Sequence, residues 1–161
     1  GLGQDVQKAA STEEKPLEGS STDLERPYFR ITTLPRASDV RPEPVLRQAF
    51  ALARERWAQE RDWAHTGEML RSIRQDLTVQ MIRSDFALEV YEFSARRALE
   101  VGDFRQFEQC SAQLEDLRAA GGRGAGAAAP EFLAYRLLYL ALQADGLALS
   151  TFLRRCGSQL R

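Results

Sequence analysis

The sequence is short of the residues on which most side-chain chemistry depends: 161 residues include one histidine and two cysteines. Cys110 and Cys156 stand alone, with no Cys-x-x-Cys and no Cys/His ligand spacing, whereas structural zinc takes four such ligands. No metal and no other cofactor is indicated, and two lone thiols fit the reducing nucleus or cytosol. Net charge is missing too. With 22 Lys+Arg against 23 Asp+Glu, the formal charge is −1 and the pI is near 6.0. No global positive field would gather nucleic acid or an anionic membrane, so only a local basic face could. The longest apolar stretch, Phe132 to Leu142, is interrupted by Arg136 and falls short of the roughly 18–20 residues of a bilayer span. No alternating strand with a hairpin turn is visible. Gly1 is not an initiator Met and no basic-then-apolar leader follows it, which reads as a piece of a longer chain.

What the sequence does contain is helical periodicity. Residues 1–22 are small, polar and charged, with too few large apolar groups to offset the entropy of ordering, and read as a disordered tail. Residues 23–44 carry four prolines, which favour extended geometry. Tyr28, Phe29, Ile31 and Leu34 are too apolar for an idle linker, so the segment is expected to lie extended on a helical body formed by residues 45–161, anchored by its aromatics. Leu46, Phe50, Ala53 and Trp57 recur every three or four residues and predict a first helix from about Glu43 to Asp62. Leu70, Ile73, Leu77 and Met81 predict a second, from about Trp63 to Arg83, with a possible break near Asp76 to Gln80 where Thr78 and Val79 are β-branched.

The third helix, about Asp85 to Val101, is apolar on two stripes and should be sandwiched between neighbours. Gly102 suits a left-handed C′ position, and Asp103 with Gln106 gives an N-cap and its capping-box partner, so the third and fourth helices meet in a tight antiparallel turn. The fourth runs from about Asp103 to Ala119. A Gly/Ala-rich loop then leads to Pro130 in the first turn of a fifth helix, about Pro130 to Ala144, which is apolar almost all round and is expected to be central. A sixth spans about Leu147 to Leu160. Paired helices without strands predict an all-α fold of stacked antiparallel hairpins, with a compact bundle as the competing arrangement. The absence of a polar terminal cap predicts that more structure follows Arg161.

Few residues could carry catalysis. His65 lacks a signature for an orienting carboxylate or nucleophile, and Cys110 sits in core phase, so both read as structural. The glycines of G-G-R-G-A-G follow no strand and precede no Lys-Ser/Thr, which favours a plain connection over a phosphate cradle. The most distinctive stretch is Ser72–Gln80, S-I-R-Q-D-L-T-V-Q, where Arg74, Gln75, Asp76, Thr78 and Gln80 crowd polar groups around Ile73, Leu77 and Val79. Asp76 is expected to accept from an Arg guanidinium and fix how two hairpins pack, since a buried charge persists only when paired. Contact of the same residues with another chain is the alternative. Arg47, Arg54, Arg61, Arg71 and Arg83 could form a nucleic-acid face, although interleaved acids such as Glu55, Glu60 and Glu68 favour a salt-bridged surface.

Several separated motifs together resemble one family. They include Leu24–Thr32 (L-E-R-P-Y-F-R-I-T), Arg41-Pro42, Val45-Leu46 leading to Trp57, Ser72–Gln80 and Val90-Tyr91-Glu92. Ala95-Arg96 with Ala98-Leu99-Glu100, Gly102-Asp103, Phe107 with Gln109-Cys110, Gln113-Leu114, Glu131-Phe132 and Ala134-Tyr135-Arg136 with Leu138-Tyr139 follow in order. From about Asp23 onward the chain thus resembles the Sac-three/GANP/Thp-three conserved-domain family, in the branch of the leukocyte receptor cluster member eight and Thp-three proteins. Two departures are visible: Ser94 stands where the pattern places a histidine, and the Gly/Ala-rich loop replaces a less biased connection.

The resemblance implies a TPR-like, PCI-type helical solenoid whose terminal winged helix would lie beyond Arg161. It also implies pairing with a second PCI-domain protein and a small acidic Sem/Dss-type subunit, and contact with RNA or DNA mainly through that winged helix; no membrane partner is expected from the charge and the short apolar stretches noted above. Such proteins act in nuclear messenger-RNA processing, transcription elongation and export, which places the chain in the nucleus, with the cytoplasm as second location. A non-enzymatic scaffold is therefore expected, with a nucleic-acid-binding module on the arginine face as the alternative. Arg74, Gln75, Asp76 and Gln80 are assigned to architecture-defining contacts, and Tyr91, Glu92, Arg96 and Tyr135 to packing and partner support.

Overall fold

Capping residues decide where the helices of this chain begin and end. In the computed structural model, which describes residues 16–30, 33, 35–120, 129–144 and 146–159, Pro44 sits in the first turn of α1 (Glu43–Glu60), where its missing N–H costs nothing. Arg61 closes α1 in a left-handed conformation with φ of 54°. Asp62 does not extend α1 but caps α2 (Trp63–Val79), its carboxylate accepting from the His65 amide at 3.3 Å. The expected run of α2 to Arg83 is cut short: Met81 turns left-handed with φ of 53° and the Ile82 amide bonds back to the Leu77 carbonyl at 2.9 Å. The β-branched pair Thr78-Val79 marks that end.

Ser84 caps α3 (Asp85–Val101), and Gly102 ends it at φ of 76°, with open space where a side chain would stand. Asp103 then caps α4 (Phe104–Ala119) through the Gln106 amide at 3.1 Å. The capping box is only half made, because the Gln106 side chain turns inward to Arg74 instead of back to Asp103. Beyond the Gly/Ala-rich loop, whose residues 121–128 lie outside the described ones, come α5 (Ala129–Leu142) and α6 (Gly146–Gln159).

Packing follows chain order, α1 on α2, α2 on α3, α3 on α4 and α5 on α6, as in stacked hairpins joined by short turns. The fold is all-helical among the described residues, as the periodicity predicts. One core runs through α1–α4, with Leu46, Leu70, Ile73, Leu77, Val90, Phe107 and Leu114 sealed from solvent. α3 is buried on both stripes, through Phe86 and Val90 on one and Leu88, Tyr91, Ala95 and Ala98 on the other. No helix among the described residues is long and apolar enough to cross a membrane.

Two expectations need correction. α5 is not central: of its apolar residues only Phe132 and Leu140 are buried, while Leu138 is 63% and Leu142 81% exposed. Four helices have already closed the main core, so α5 adds one stripe to it and a small second cluster, Leu140 with Phe152, to α6. The reading of residues 1–22 as a disordered tail also fails over its last part. The Ser20 amide donates to the Ala37 carbonyl at 2.8 Å and the Ser21 amide to the Val40 carbonyl at 2.9 Å. Gly19 is buried so closely that a Cβ there would stand 2.4 Å from the Val40 oxygen. The descriptions of residues 1–15, Ile31, Leu34, Leu160 and the Cys156 side chain fall outside the described residues.

Candidate functional site

The polar stretch Ser72–Gln80 becomes two knots on opposite sides of α2. The first involves a residue that sequence reasoning used only as part of a motif. Arg41, just before α1 and 1% exposed, donates from Nε to Asp76 Oδ2 at 2.6 Å, from Nη2 to Ser72 Oγ at 2.7 Å and from Nη1 to the Leu24 carbonyl at 3.0 Å. Its own amide faces the same Asp76 oxygen at 3.3 Å. Gln80 completes the knot, accepting from the Gly19 amide at 2.9 Å and donating to the carbonyls of Arg41 and Asp76 at 2.8 and 3.0 Å.

A buried carboxylate does require a guanidinium, as the sequence implies. The guanidinium comes from the Pro-rich segment, however, so Asp76, with Gln80, fixes the described residues between 19 and 41 to α2 and not one hairpin to another. Gln75 extends this seam at the surface, its amide donating to the Phe29 carbonyl at 2.5 Å and its Oε1 accepting from the Phe29 amide at 3.4 Å. The segment, here termed the strap, is held by polar bonds more than by its aromatics, since Tyr28 and Phe29 remain 38% and 55% exposed.

Arg74 forms the second knot and does join hairpins. Its buried guanidinium reaches from α2 to α4, contacting Gln106 Oε1 and Cys110 Sγ, the latter at 2.7 Å, and stands 5.9 Å from the Tyr91 ring centre. None of these groups is a carboxylate. Tyr91 is buried, its hydroxyl 3.1 Å from Thr78 Oγ1, and burial raises its pKa against the opposing pull of Thr78 and Arg74. Burial also pushes the Cys110 thiol up to about 11, with Arg74 only partly offsetting it, which keeps the sulfur protonated and poorly nucleophilic. His65 is engaged at the surface: its Nε2 meets Arg56 Nη1 at 2.5 Å and lies 3.6 Å from Glu25. No cluster of metal-ligating residues occurs among the described residues.

Glu92, Arg96 and Tyr135 meet in a third constellation that ties α5 to α3 and α4. Arg96 grips Glu131 with two bonds of 2.8 Å, and Glu92 accepts from Arg118 at 3.0 Å. Both guanidinium groups stand 5.0 Å from the Phe132 ring centre. The hydrogen bond from Arg96 holds the Glu131 carboxyl down at about 2, and the bond to Glu131 raises both Arg96 and Tyr135. Ser94, where a histidine was expected, is buried and donates to the Val90 carbonyl of its own helix at 2.7 Å.

The arginine face is largely neutralised. Arg47 pairs with Glu43, Arg54 with Glu89, Arg61 with Glu100 and Arg71 with Glu68, at 2.5 to 2.9 Å. Only Arg83 of the five is exposed without an acidic partner among the described residues. A phosphate would have to displace a carboxylate at the other four. Sequence reasoning also missed Gly19, Arg41, Ser72 and Gln106. The signal for Arg41 was the unpaired Asp76, but spacing could not say which arginine would answer it across 35 positions.

No family model matches the chain. Individual proteins do. A THP3 homolog of Schizosaccharomyces pombe is 45% identical over 122 residues, covering 76% of this chain and 30% of that protein. A leukocyte receptor cluster member 8 homolog of Xenopus laevis is 41% identical over 152 residues, covering 92% of this chain and 18% of its own length. SAC3 family protein A of Arabidopsis thaliana is 39% identical over 129 residues, or 80% of this chain and 12% of that protein. The chain thus spans less than a third of the length of these relatives.

Proposed function

The chain belongs to the SAC3/THP3 family, in the branch that includes THP3 and leukocyte receptor cluster member 8 proteins, and from that premise we propose that it is a non-enzymatic scaffold. In this reading it is the helical part of a PCI-type subunit. It pairs with a second PCI-domain protein and a small acidic Sem/Dss-type subunit in a nuclear complex for messenger-RNA processing and transcription-coupled export.

The observation that carries this reading is how the polar groups are spent. Arg41, Arg74, Asp76, Gln80 and Gln106 are buried and bonded to one another or to backbone, which positions helices and leaves none of these five side chains free to act on a substrate. Glu92, Arg96 and Tyr135 hold α3, α4 and α5 in register and Tyr91 joins α3 to α2, so any partner contact of theirs would act through the arrangement of those helices.

Capture from nuclear extract by the full-length protein, with and without RNase, tests the proposal. Recovery of a second PCI protein together with a small acidic subunit after RNase is expected. Recovery only through RNA would contradict it.

A further inference from the structure

Between the strap and α4, across the surface of α2, lies an open groove of about 630 Å³. Four arginines line it, Arg30 from the strap, Arg71 and Arg74 from α2, and Arg105 from α4, and among the described residues the lining holds no Asp or Glu. The imbalance is local, because the whole chain has a formal charge of −1. Arg71 shares its charge with Glu68 at 2.6 Å. Arg30 and Arg105 are exposed and have no acidic partner among the described residues. Arg74, beneath them, is buried against an amide, a thiol, a carbonyl and a ring, so the cost of removing its charge from water is not offset by a carboxylate. An anion in the groove would supply the missing countercharge.

The wall chemistry narrows the kind of anion. Gln75 already shows how this surface holds extended chain, its side-chain amide engaging both main-chain groups of Phe29. Gln109 and Gln113 lie four residues apart on the α4 wall, hence on one helix face, and both are exposed with no partner among the described residues. They offer a second extended chain the same paired donor and acceptor. A single-stranded nucleic acid would want open aromatic faces for its bases. Here Tyr91 is buried, and Tyr28 is covered on one face by the Arg71 guanidinium, 4.3 Å from its ring centre.

We propose that this groove binds an extended acidic peptide segment of a partner protein, with Arg30, Arg71 and Arg105 pairing its carboxylates and Gln109 and Gln113 holding its main chain. The site stands on its own chemistry and goes beyond the pairing proposed above, which could fail while this binding holds.

The test is fluorescence anisotropy with the full-length protein and a labelled decapeptide of aspartate and glutamate, beside a serine/glycine decapeptide and a uridine decanucleotide. The acidic peptide should bind, and the neutral one should not. The double variant Arg30→Glu/Arg105→Glu should weaken binding at least about tenfold, while Arg54→Glu, on α1 and outside the groove, should leave it unchanged. The two reversed side chains are exposed, and an unaltered thermal transition would confirm that the fold is kept. Gln109→Ala/Gln113→Ala should weaken binding about threefold with the same salt dependence, as befits loss of neutral hydrogen bonds. Absence of acidic-peptide binding, or equal affinity in the charge-reversed variant, would overturn the proposal. So would tighter binding of the uridine oligomer that is lost on charge reversal, which would make the groove a nucleic-acid site.

Discussion

Two elements are added to the outside of the α1–α4 body, the strap before it and the α5–α6 hairpin after it, and they are attached by opposite means. The strap carries aromatic residues but is held by a buried polar knot, Arg41 with Asp76, Ser72 and Gln80. The hairpin is the most apolar part of the chain, yet α5 is joined to the body by one buried ring, Phe132, with Tyr135 and Tyr139 packed at the edge of the core and the part-exposed Arg96–Glu131 ion pair beside them. Hydrophobicity therefore does not rank how firmly a segment is built in. A few buried, mutually satisfied polar groups can fix an otherwise polar segment in one register, whereas an all-round apolar helix retains open surface when its neighbours cover only one side.

The sharpest way to break the contrast is Asp76→Ala. It leaves the Arg41 guanidinium buried without its carboxylate, a loss of about 3–5 kcal/mol, or a fall in Tm of about 10 °C or more for a chain of this size. Calorimetry checks this, and an unchanged Tm would mean that the knot does not bear on stability. Gly19→Ala should come next. A Cβ at 2.4 Å from the Val40 oxygen forces the strap away and breaks the Gly19–Gln80 bond, at about 1–3 kcal/mol. Limited proteolysis should then cut within the strap well before the helices.

The α5 attachment is probed by pH. Glu131 has a folded pKa of about 2, below its ordinary 4.5, so its ionisation favours the folded state above about pH 4.5, and that contribution disappears as pH falls towards 2. Wild type should exceed Glu131→Gln in urea midpoint at pH 6, and the gap should narrow below about pH 4.5 and close only as pH falls to about 2. A gap that persists or widens in acid would exclude the carboxylate as its source. The smallest effect belongs to Leu142→Ser, at an 81% exposed position, which should change stability by less than about 0.5 kcal/mol. A larger loss would show that α5 packs more deeply than described.

Much of this architecture is legible in the residues themselves. Gly102-Asp103 sets the α3–α4 turn because left-handed geometry and N-capping are local properties, and the double stripe of α3 announces its central place. Asp76 likewise declares its need for a guanidinium. What spacing cannot convey is who answers. Arg41 reaches Asp76 from 35 positions away, Gly19 reaches Gln80 from 61, and Gln106 turns from its expected capping role to Arg74. α5 is misplaced by its pattern for a related reason: apolarity on every side states what a helix can bury, not which neighbours are present to bury it.

The claim at the centre of this account is that the strap is a part of the helical body, held there by the Arg41–Asp76 pair. Amide hydrogen exchange in wild type and Asp76→Ala, under conditions where both are folded, tests it most directly. The Ser20 and Ser21 amides should be protected in wild type and should lose that protection in the variant, while the amides of α3 keep theirs. Strap amides that exchange freely in wild type, or remain equally protected in the variant, would contradict it.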